Sequence, residues 1–510
     1  MIIDPSTITH DTVVSADVCI IGSGAGGGVC AKYLAEAGLR VIIMEEGGYF
    51  TSKDFTQRED DAYMTMYQER GALATSDLSF TILQGKTVGG STTVNWMTCL
   101  RTPDFVLNDW HDRLGLEWMS PREMLPCFEE VERYLNILPE PYERHNFTNR
   151  LIIDGARKLS WHAIANGRNA RGCVQCGSCG LGCPYDSKLS VNLTYIPDAV
   201  AAGAIIYQRC RAEIIRLNGG MKRVRGSLLD PKTGDARFSI TVEAPVVIVA
   251  GSAINSPVLL LKSELANTSR QVGKNLTLHP TTAVFGLYEH NVDPWYGIPQ
   301  SALCDEFLNK KGDGGGFWIE AVPLHPMLAA TALPGYGIAH HSEMKNLKKT
   351  APSIILVKEI DSSGSVTVSR SGRPEIKYRL TGRDVEALKE GLIAAARIHF
   401  AAGSSRVGTL HTIPIHSSHI DDFESRVSRG QYGPNQIGMF SAHPLGTCRM
   451  GNDSGTSVVK STCETHAVPG LFVCDGSVLP TSIGVNPQVT IMALATRVSR
   501  DIAKNFSQLV

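Results

Sequence analysis

The sequence predicts an α/β protein with two parts: a Rossmann-like nucleotide-binding domain whose chain path is discontinuous, and a substrate domain of antiparallel sheet and helices. Three observations support this fold class. A glycine-rich turn joins an apolar strand to a helix between residues 17 and 37. A continuous β-branched run, Val246–Ala250, follows much later in the chain. Between residues 281 and 440, alternating strands accompany one long amphipathic helix.

The glycine-rich turn carries the strongest signal. Gly22, Gly24 and Gly27 occupy the three glycine positions of G-x-G-x-x-G. One glycine permits the tight turn, one lets backbone amides approach a pyrophosphate, and one allows the helix to pack on the strand. The helix predicted over 28–37 offers its N-terminal amides and positive dipole end to that pyrophosphate. A second strand ends at Glu45, whose carboxylate can accept hydrogen bonds from ribose hydroxyls.

Strand, turn, helix, strand and acid in this order indicate a dinucleotide site rather than an ordinary glycine-rich turn. The acid at Glu45 suits FAD or NAD and repels the 2′-phosphate of NADP. The motif alone does not separate a flavin from a nicotinamide.

The strand predicted at Val246–Ala250 and the composition of residues 281–440 determine the predicted domain boundaries. A β-branched run is typical of a parallel strand buried on both faces, so Val246–Ala250 is predicted to rejoin the nucleotide-binding sheet. Residues 1–280 and 441–510 are therefore assigned to the nucleotide-binding domain. Residues 281–440, with a helix predicted over 383–402, are assigned to a substrate domain that forms one wall of a pocket between the two.

Composition argues against several classes of partner. Lys and Arg total 49 against 50 Asp and Glu, which gives no electrostatic reason to expect nucleic acid or an anionic membrane. The longest apolar runs have the length of strands, so no transmembrane segment is expected. Met1–His10 lacks the basic leader and apolar core of a secretory signal. The 13 cysteines look like thiols of a reducing compartment, and we therefore expect a cytoplasmic protein.

Two further segments carry candidate chemistry. Residues 84–97 are too rich in glycine for a regular element, and their small side chains would let the backbone press against a flat ring system. The alternative is a tight loop with a helix N-cap at Ser91. Late in the chain, His443 and Asn486 each precede a proline. By itself, such a histidine is more often structural than catalytic.

Together these segments resemble the glucose-methanol-choline (GMC) family of FAD-dependent oxidoreductases over nearly the whole chain. The first glycine-rich turn is similar to that family's nucleotide fingerprint. Further segments match its motifs in the same order: Gly89–Asn95, Gly251–Pro257, Val272–Leu276 with His279-Pro280, His443–Thr447, Asp475–Ser477 and Asn486-Pro487.

The resemblance implies that a substrate C–H hydride goes to flavin N5 while the hydroxyl proton goes to a base. His443 would be that base, and Asn486 would hold the substrate oxygen. An imidazole that titrates near neutrality is suited to take such a proton, and an amide supplies a hydrogen bond without competing for it. Many family members have a second histidine at this place. Choline- and cholesterol-oxidising members have asparagine instead, and Gly484–Pro487 with Asn486 is most similar to those members.

The resemblance also implies FAD as the cofactor. Its contacts would come from both glycine-rich segments and from two acids: Gly22, Gly24, Gly27, Glu45, Gly89, Gly90, Asn95 and Asp475. Some family members attach FAD covalently to a histidine in the segment equivalent to 89–95. Val94 stands at that place here, so we expect FAD to be bound non-covalently.

A cysteine run lies in a loop over 171–199. Cys173, Cys176, Cys179 and Cys183 reproduce the C-x2-C-x2-C-x3-C-P spacing of bacterial ferredoxins. The spacing predicts an iron–sulfur cluster, either 3Fe-4S on the first three thiolates or 4Fe-4S with Cys183 or a distant cysteine as fourth ligand. Some sugar and polyol dehydrogenases of the GMC family carry a cluster in a comparable region. A loop of unliganded thiols and a zinc ion on four thiolates are the alternatives.

The predicted function is FAD-dependent oxidation of an alcohol to a carbonyl compound. With a cluster, electrons would pass to a quinone, a cytochrome or a ferredoxin-like protein; without one, dioxygen is the simpler acceptor. A flavin-dependent lyase and a flavin-binding electron-transfer subunit without catalysis are the alternatives. A bulky sugar, sterol-like, aromatic or long-chain alcohol is expected rather than methanol. Trp295, Tyr296, Trp318 and Tyr336 could stack on it, although aromatic residues in such a sheet are more often part of the core.

Overall fold

The computed structural model describes residues 1–509 and confirms the predicted fold class. A parallel six-stranded sheet collects strands from distant parts of the chain. In spatial order they are Ile2–Ile3, Ile205–Tyr207, Val41–Met44, Val18–Ile21, Val246–Val249 and Leu471–Val473. The three strands at the centre are fully buried, which explains their continuous apolar sequences. The discontinuous chain path predicted from Val246–Ala250 is thus confirmed.

A four-stranded sheet covers one face of this parallel sheet. Its strands are Cys210–Asn218, Met221–Leu229, Ala236–Ala244 and Thr12–Ser15. The first three form an antiparallel meander, and the fourth joins in parallel. On the other face, helix Gly27–Glu36 packs against helix Gln488–Leu509.

A nine-stranded, mostly antiparallel sheet forms the second part of the molecule. Its main path is His416–Ser417, Arg406–Thr409, Thr281–Leu287, Thr350–Lys358, Gly316–Ala321, Ala302–Cys304 and Ile164–Ala165, with Met439–Ser441 and Phe80–Ile82 attached at the side. Two of these strands lie outside residues 281–440. The domain boundaries themselves stay a prediction.

Helices and two small sheets complete the fold. The remaining helices are Glu59–Met66, Asp104–Asp112, Pro121–Tyr134, Phe147–Lys158, Tyr195–Ala201, Ser252–Ser263, Pro326–Ala332, Gly337–Lys345, Arg383–Ala401 and Ile420–Ser428. The small sheets pair Ser363–Val368 with Pro374–Arg379, and Thr98–Cys99 with Gly167–Asn169 and Ile137–Pro139. Within residues 1–509, no helix combines the length and apolar character that a membrane span requires.

Parallel strand pairing decides where the candidate cofactor residues meet. Because neighbouring strands of the six-stranded sheet run in one direction, their carboxyl ends share one edge. Gly22, Glu45, Gly251 and Asp475 follow four of these strands directly or within two residues. They come from widely separated parts of the chain, yet all border one cavity.

Candidate active site

The first glycine turn is shaped by close backbone packing. Gly22 has a φ of 97°, and a Cβ atom there would lie 2.4 Å from the carbonyl oxygen of Ala250. A Cβ atom on Gly27 would lie 2.0 Å from the carbonyl oxygen of Gly22. Gly24 instead faces the second glycine-rich loop. Gly22 and Gly27 thus have no room for a side chain, whereas the approach of the backbone to a pyrophosphate stays a prediction.

Glu45 holds the two glycine-rich loops together. Its Oε2 accepts hydrogen bonds from the backbone N–H of Ser23 at 2.9 Å and from the Ser23 hydroxyl at 2.7 Å. Its Oε1 accepts from the N–H of Gly47 at 2.7 Å. The Ser23 hydroxyl oxygen also accepts from the N–H of Gly89 at 3.1 Å. Burial raises the pKa of Glu45, and these hydrogen bonds oppose that rise.

Asp475 and Asn95 anchor the loops farther along the cavity. One carboxylate oxygen of Asp475 accepts from the N–H of Ser252 at 2.8 Å and from the Ser256 hydroxyl at 2.5 Å. Asn95 donates from Nδ2 to Oε1 of Gln488 at 2.8 Å. Both predicted cofactor residues line the cavity, and their side chains also hold the surrounding loops in place.

The residues present fit FAD. One end of the cavity is formed by the backbone of Gly22–Gly26 at the start of a helix, where a pyrophosphate is favoured. The second loop approaches so closely that a Cβ atom on Gly90 would lie 2.7 Å from Cα of Gly24. Three buried polar atoms along the cavity have no partner in the protein: Gln84 Oε1, Glu320 Oε1 and Asn486 Oδ1.

His443 and Asn486 lie side by side in the wall of this cavity. Nε2 of His443 is 3.4 Å from Nδ2 of Asn486. Ser441 orients the histidine backbone, because its Oγ accepts from the N–H of His443 at 3.1 Å and donates to the carbonyl of Leu278. Burial lowers the pKa of His443 to about 4. The tertiary structure thus brings the two predicted catalytic residues into one site.

His279 supports His443 from behind. Its Nδ1 is 3.3 Å from Nδ1 of His443. Its Nε2 accepts hydrogen bonds from the backbone N–H groups of Ile483 at 3.2 Å and Gly484 at 3.1 Å. Burial holds the pKa of His279 well below its ordinary value, and His443 contributes to the shift. The motif that contains His279 was identified in the sequence, but its contact with His443 was not.

Glu359 fixes the backbone that carries His279. Its Oε1 accepts from the backbone N–H of Leu278 at 2.5 Å and from that of His279 at 2.9 Å. Its Oε2 accepts from the hydroxyl of Ser482 at 2.6 Å, in the same loop as Gly484. The acid therefore joins the chain on both sides of the histidine.

Glu320 is a further cavity residue that sequence reasoning missed. It lies on the strand Gly316–Ala321 and is 1 % exposed. Its Oε2 accepts from Nε2 of Gln300 at 2.6 Å, and Gln300 Oε1 accepts from the hydroxyl of Thr98 at 2.8 Å. Burial raises the pKa of Glu320 to about 8, while the neighbouring side-chain amides of Asn486 and Gln300 lower it. An acid inside an apolar strand was the available signal, since such residues are almost never fully buried without a role.

Comparison with known proteins places this geometry in a family. Two GMC oxidoreductase models match residues 63–281 and 361–495, and an FAD-binding domain model matches residues 17–56. A long-chain-alcohol oxidase of Arabidopsis thaliana, FAO3, is 31% identical over 98% of the chain and 69% of its own length. An uncharacterized GMC-type oxidoreductase of Mycobacterium tuberculosis is 34% identical over 96% of the chain and 76% of its own length. The chain belongs to the GMC oxidoreductase family.

Solved structures show the same fold. Pyridoxine 4-oxidase from Mesorbium loti superposes with a TM-score of 0.72 at 17% identity, covering 95% of this chain and 98% of its own. A formate oxidase from Aspergillus oryzae RIB40 gives 0.74 at 15% identity, covering 99% and 100%. This GMC oxidoreductase is therefore an FAD-dependent enzyme, as its motifs predict.

The four cysteines of the predicted cluster line one small pocket beside the cofactor cavity. Met97 lines both the pocket and the cavity, and Lys188 also borders the pocket. Burial raises the pKa of Cys179 to about 11, and Lys188 and Arg168 lower it. Within residues 1–509, no three His, Cys, Asp or Glu side chains are grouped closely enough to hold a metal ion. The iron–sulfur cluster of this GMC oxidoreductase and its zinc alternative stay predictions.

Lys188 joins the cysteine loop to the cofactor loop. Lys188 is 2 % exposed, and its ammonium group donates to three carbonyl oxygens, those of Thr93 at 2.9 Å, Asn95 at 2.6 Å and Cys179 at 3.0 Å. Burial lowers its pKa to about 8. A buried cation held only by carbonyls favours negative charge in its surroundings.

The expectation of aromatic stacking residues was wrong. Trp318 is buried in the core, and Tyr336 is 91% exposed. Trp295 and Tyr296 border a different pocket, near the cysteine loop. None of these four side chains lines the cofactor cavity.

Proposed function

We propose that this GMC oxidoreductase oxidises a bulky alcohol to a carbonyl compound. The observation that carries the proposal is the pair His443 and Asn486, which lines the same cavity as the first glycine turn. The cavity wall near this pair includes Ile354, Leu356 and Phe440, which favours an apolar group beside the reacting carbon. The printed names of two relatives, a long-chain-alcohol oxidase and a pyridoxine 4-oxidase, support an alcohol substrate.

The protein's own residues would bind the alcohol and handle its proton. Bound FAD supplies the hydride acceptor, at its N5 atom. His443 and Asn486 would hold the substrate oxygen from two sides, because their side-chain nitrogens are only 3.4 Å apart. An alcohol becomes a good hydride donor only as its O–H proton is removed, so the site also needs a proton acceptor. The sequence analysis assigned that role to His443.

We propose dioxygen as the electron acceptor. The relatives that support an alcohol substrate are named oxidases. Anaerobic mixing with a panel of long-chain, aromatic, sterol and sugar alcohols should bleach the flavin, and admission of air should restore its colour with formation of hydrogen peroxide. A panel that leaves the flavin oxidised would contradict alcohol oxidation. Product formed with no net oxidation of substrate would instead favour the lyase alternative.

A dehydrogenase with an iron–sulfur cluster is the second candidate. Its support is the pocket that Cys173, Cys176, Cys179 and Cys183 share beside the cofactor cavity, with the buried ammonium group of Lys188 next to it. A cluster on thiolates would supply the negative charge that this cation favours. Iron and acid-labile sulfide should then accompany anaerobically purified protein. An iron content below about a tenth of an atom per chain would exclude the cluster, because a metal site that is part of the folded protein should be largely filled.

Location and FAD attachment also remain proposals. A cytoplasmic location is supported by the 13 cysteines, which are all free thiols as in proteins of a reducing compartment, and cell fractionation would test it. Non-covalent attachment of FAD is supported by Val94, since an aliphatic side chain offers no atom for a bond to the flavin.

A further inference from the structure

Lys188 lies behind the loop that borders the cofactor cavity. Its ammonium group donates to the carbonyl oxygens of Thr93 at 2.9 Å and Asn95 at 2.6 Å. Val94, between these two residues, lines the cavity together with Asn95. Lys188 itself borders the cysteine pocket, where it donates to the carbonyl oxygen of Cys179 at 3.0 Å, and not the cofactor cavity. A buried positive charge therefore lies directly behind the cavity wall.

The groups around Lys188 leave this charge uncompensated. All three of its hydrogen-bond acceptors are neutral carbonyls. The ionisable groups that act on it most strongly are the thiols of Cys99, Cys179 and Cys183 and the guanidinium group of Arg168, and no carboxylate is among them. In the oxidase proposed above the thiols carry no cluster, and an ordinary thiol is mostly protonated at neutral pH.

Arg168 adds a second buried cation beside the same pocket. It is 1 % exposed, and its Nη1 lies 2.7 Å from Oε1 of Glu140. Oε2 of Glu140 also pairs with Nε of Arg144 at 2.9 Å. One carboxylate thus faces two guanidinium groups and leaves no negative charge for Lys188. A buried cation without a counter-ion is costly, so any process that brings negative charge nearby is favoured.

Hydride transfer to the cofactor is such a process, and this step rests on the alcohol oxidation proposed above. As the C–H bond breaks, its electron pair and one proton move together to oxidised FAD, while the O–H proton leaves separately to a protein group. The ring system of oxidised FAD is neutral, so the arriving hydride gives it one negative charge. Charges placed near the ring by the protein therefore change how easily FAD is reduced.

We propose that Lys188 stabilises the negative charge that hydride transfer places on FAD, and thereby favours oxidation of the alcohol. Because Lys188 does not line the cavity, it acts by its electric field and not by contact with the reacting atoms. At an effective dielectric constant of about 20, a unit charge changes an equilibrium about tenfold over roughly 12 Å. The three carbonyl contacts hold the ammonium group in place before the reaction begins.

The test compares three variants of Lys188 in the FAD-loaded protein. Lys188→Met removes the charge and the hydrogen bonds, Lys188→Gln removes the charge and keeps an N–H donor, and Lys188→Arg keeps the charge. In an anaerobic redox titration, the methionine and glutamine variants should show an equilibrium constant for two-electron reduction about tenfold below that of the wild type. This change corresponds to a midpoint potential about 30 mV more negative. Lys188→Arg should stay close to the wild type.

Sulfite provides a second measurement without turnover. It adds to oxidised flavins, bleaches them and leaves a negative charge on the ring, so its dissociation constant can be read from the flavin absorbance. Sulfite should bind about tenfold more weakly to Lys188→Met and Lys188→Gln than to the wild type and Lys188→Arg. If Lys188→Met does not fold or loses FAD, Lys188→Gln decides the question.

Lys222 provides a matched control. It is 4 % exposed on the strand Met221–Leu229, and its ammonium group donates to the carbonyl oxygen of Pro245 at 2.5 Å. It borders neither the cofactor cavity nor the cysteine pocket. Lys222→Met therefore also removes a buried ammonium group that is bound to a carbonyl. It should leave the midpoint potential and the sulfite affinity unchanged.

Three results would overturn the role of Lys188: wild-type potential and sulfite affinity in Lys188→Gln, an equal shift in Lys222→Met, or a Lys188→Arg protein that behaves like Lys188→Met. The first and third would show that the contacts of Lys188 matter and its charge does not. A wild-type protein that no alcohol bleaches would instead count against the proposed function. Neither the redox titration nor the sulfite titration uses an alcohol, so the two failures are distinguishable.

Discussion

Replacement of Gly90 by alanine should push apart the two glycine-rich loops that hold FAD. Gly90 has a φ of 56°, and a Cβ atom there would lie 2.7 Å from Cα of Gly24. An ordinary carbon–carbon contact is about 3.5–4.0 Å, so one of the loops must move by about 1 Å. Both loops border the cofactor cavity, and the shift therefore moves backbone groups away from the cofactor.

The expected cost has two parts. A left-handed φ costs alanine about 1–2 kcal/mol. Crowding in a packed site typically costs about 1–3 kcal/mol more. We therefore expect Gly90→Ala to lower the free energy of unfolding by about 2–5 kcal/mol. If the cost of crowding appears as a displacement of the loops that bind FAD, FAD binding weakens about tenfold for each 1.4 kcal/mol.

Gly219 offers a matched control. It has a φ of 62° in the hairpin turn after Asn218, and a Cβ atom there would meet no atom within 4 Å. Gly219→Ala should lower the free energy of unfolding only by the cost of the left-handed φ, and it should leave FAD affinity unchanged. Denaturant unfolding and FAD titration of the apoprotein measure both quantities. A Gly90→Ala protein that binds FAD like the wild type, and unfolds no more easily than Gly219→Ala, would refute the contact between the loops.

Three further predictions concern buried groups. Lys188→Met should lower the free energy of unfolding by about 1–3 kcal/mol in thermal unfolding, because three buried carbonyls lose their shared donor. Unchanged stability together with unchanged FAD retention would count against Lys188 as the link between the cysteine loop and the cofactor loop. Glu320→Gln should be more stable than wild type above pH 8. The folded-state pKa of Glu320 is raised from 4.5 to about 8, so wild-type stability is highest below the unfolded pKa and falls as pH rises between these values. At 1.36 kcal/mol per pH unit, the free energy of unfolding of the two proteins should differ by at most on the order of 5 kcal/mol. Equal melting temperatures of wild type and Glu320→Gln at pH 9 would contradict this prediction. Acid precipitation should release the yellow FAD into the supernatant, since Val94 cannot bond to it; colour that stays with the pellet would show covalent attachment.

Elements whose determinants lie close together in the chain could be predicted from the sequence. The strand, turn and helix around Gly22–Gly27 depend on neighbouring residues, and the helix predicted over 28–37 differs from the observed Gly27–Glu36 by one residue at each end. The helix predicted over 383–402 is observed as Arg383–Ala401. It could be predicted because its buried apolar positions recur at helical spacing.

Weakly patterned segments were harder to predict. The helix Glu59–Met66 was not predicted from the sequence. That helix buries only Ala62 and Met66, so its apolar pattern is too sparse to detect. The stacking role suggested for Trp318 failed for a related reason: an aromatic residue in a strand has the same sequence pattern whether it faces a core or a cavity.

The sequence by itself determined the family, the cofactor and the two polar cavity residues His443 and Asn486, because each can be recognised from a short motif. Only the tertiary structure decided what surrounds those residues. Strand pairing brings Glu320 to the cavity, and a distant loop places two backbone N–H groups on His279. Burial then sets which nitrogen or oxygen carries a proton, and it depends on packing between residues that are far apart in the chain.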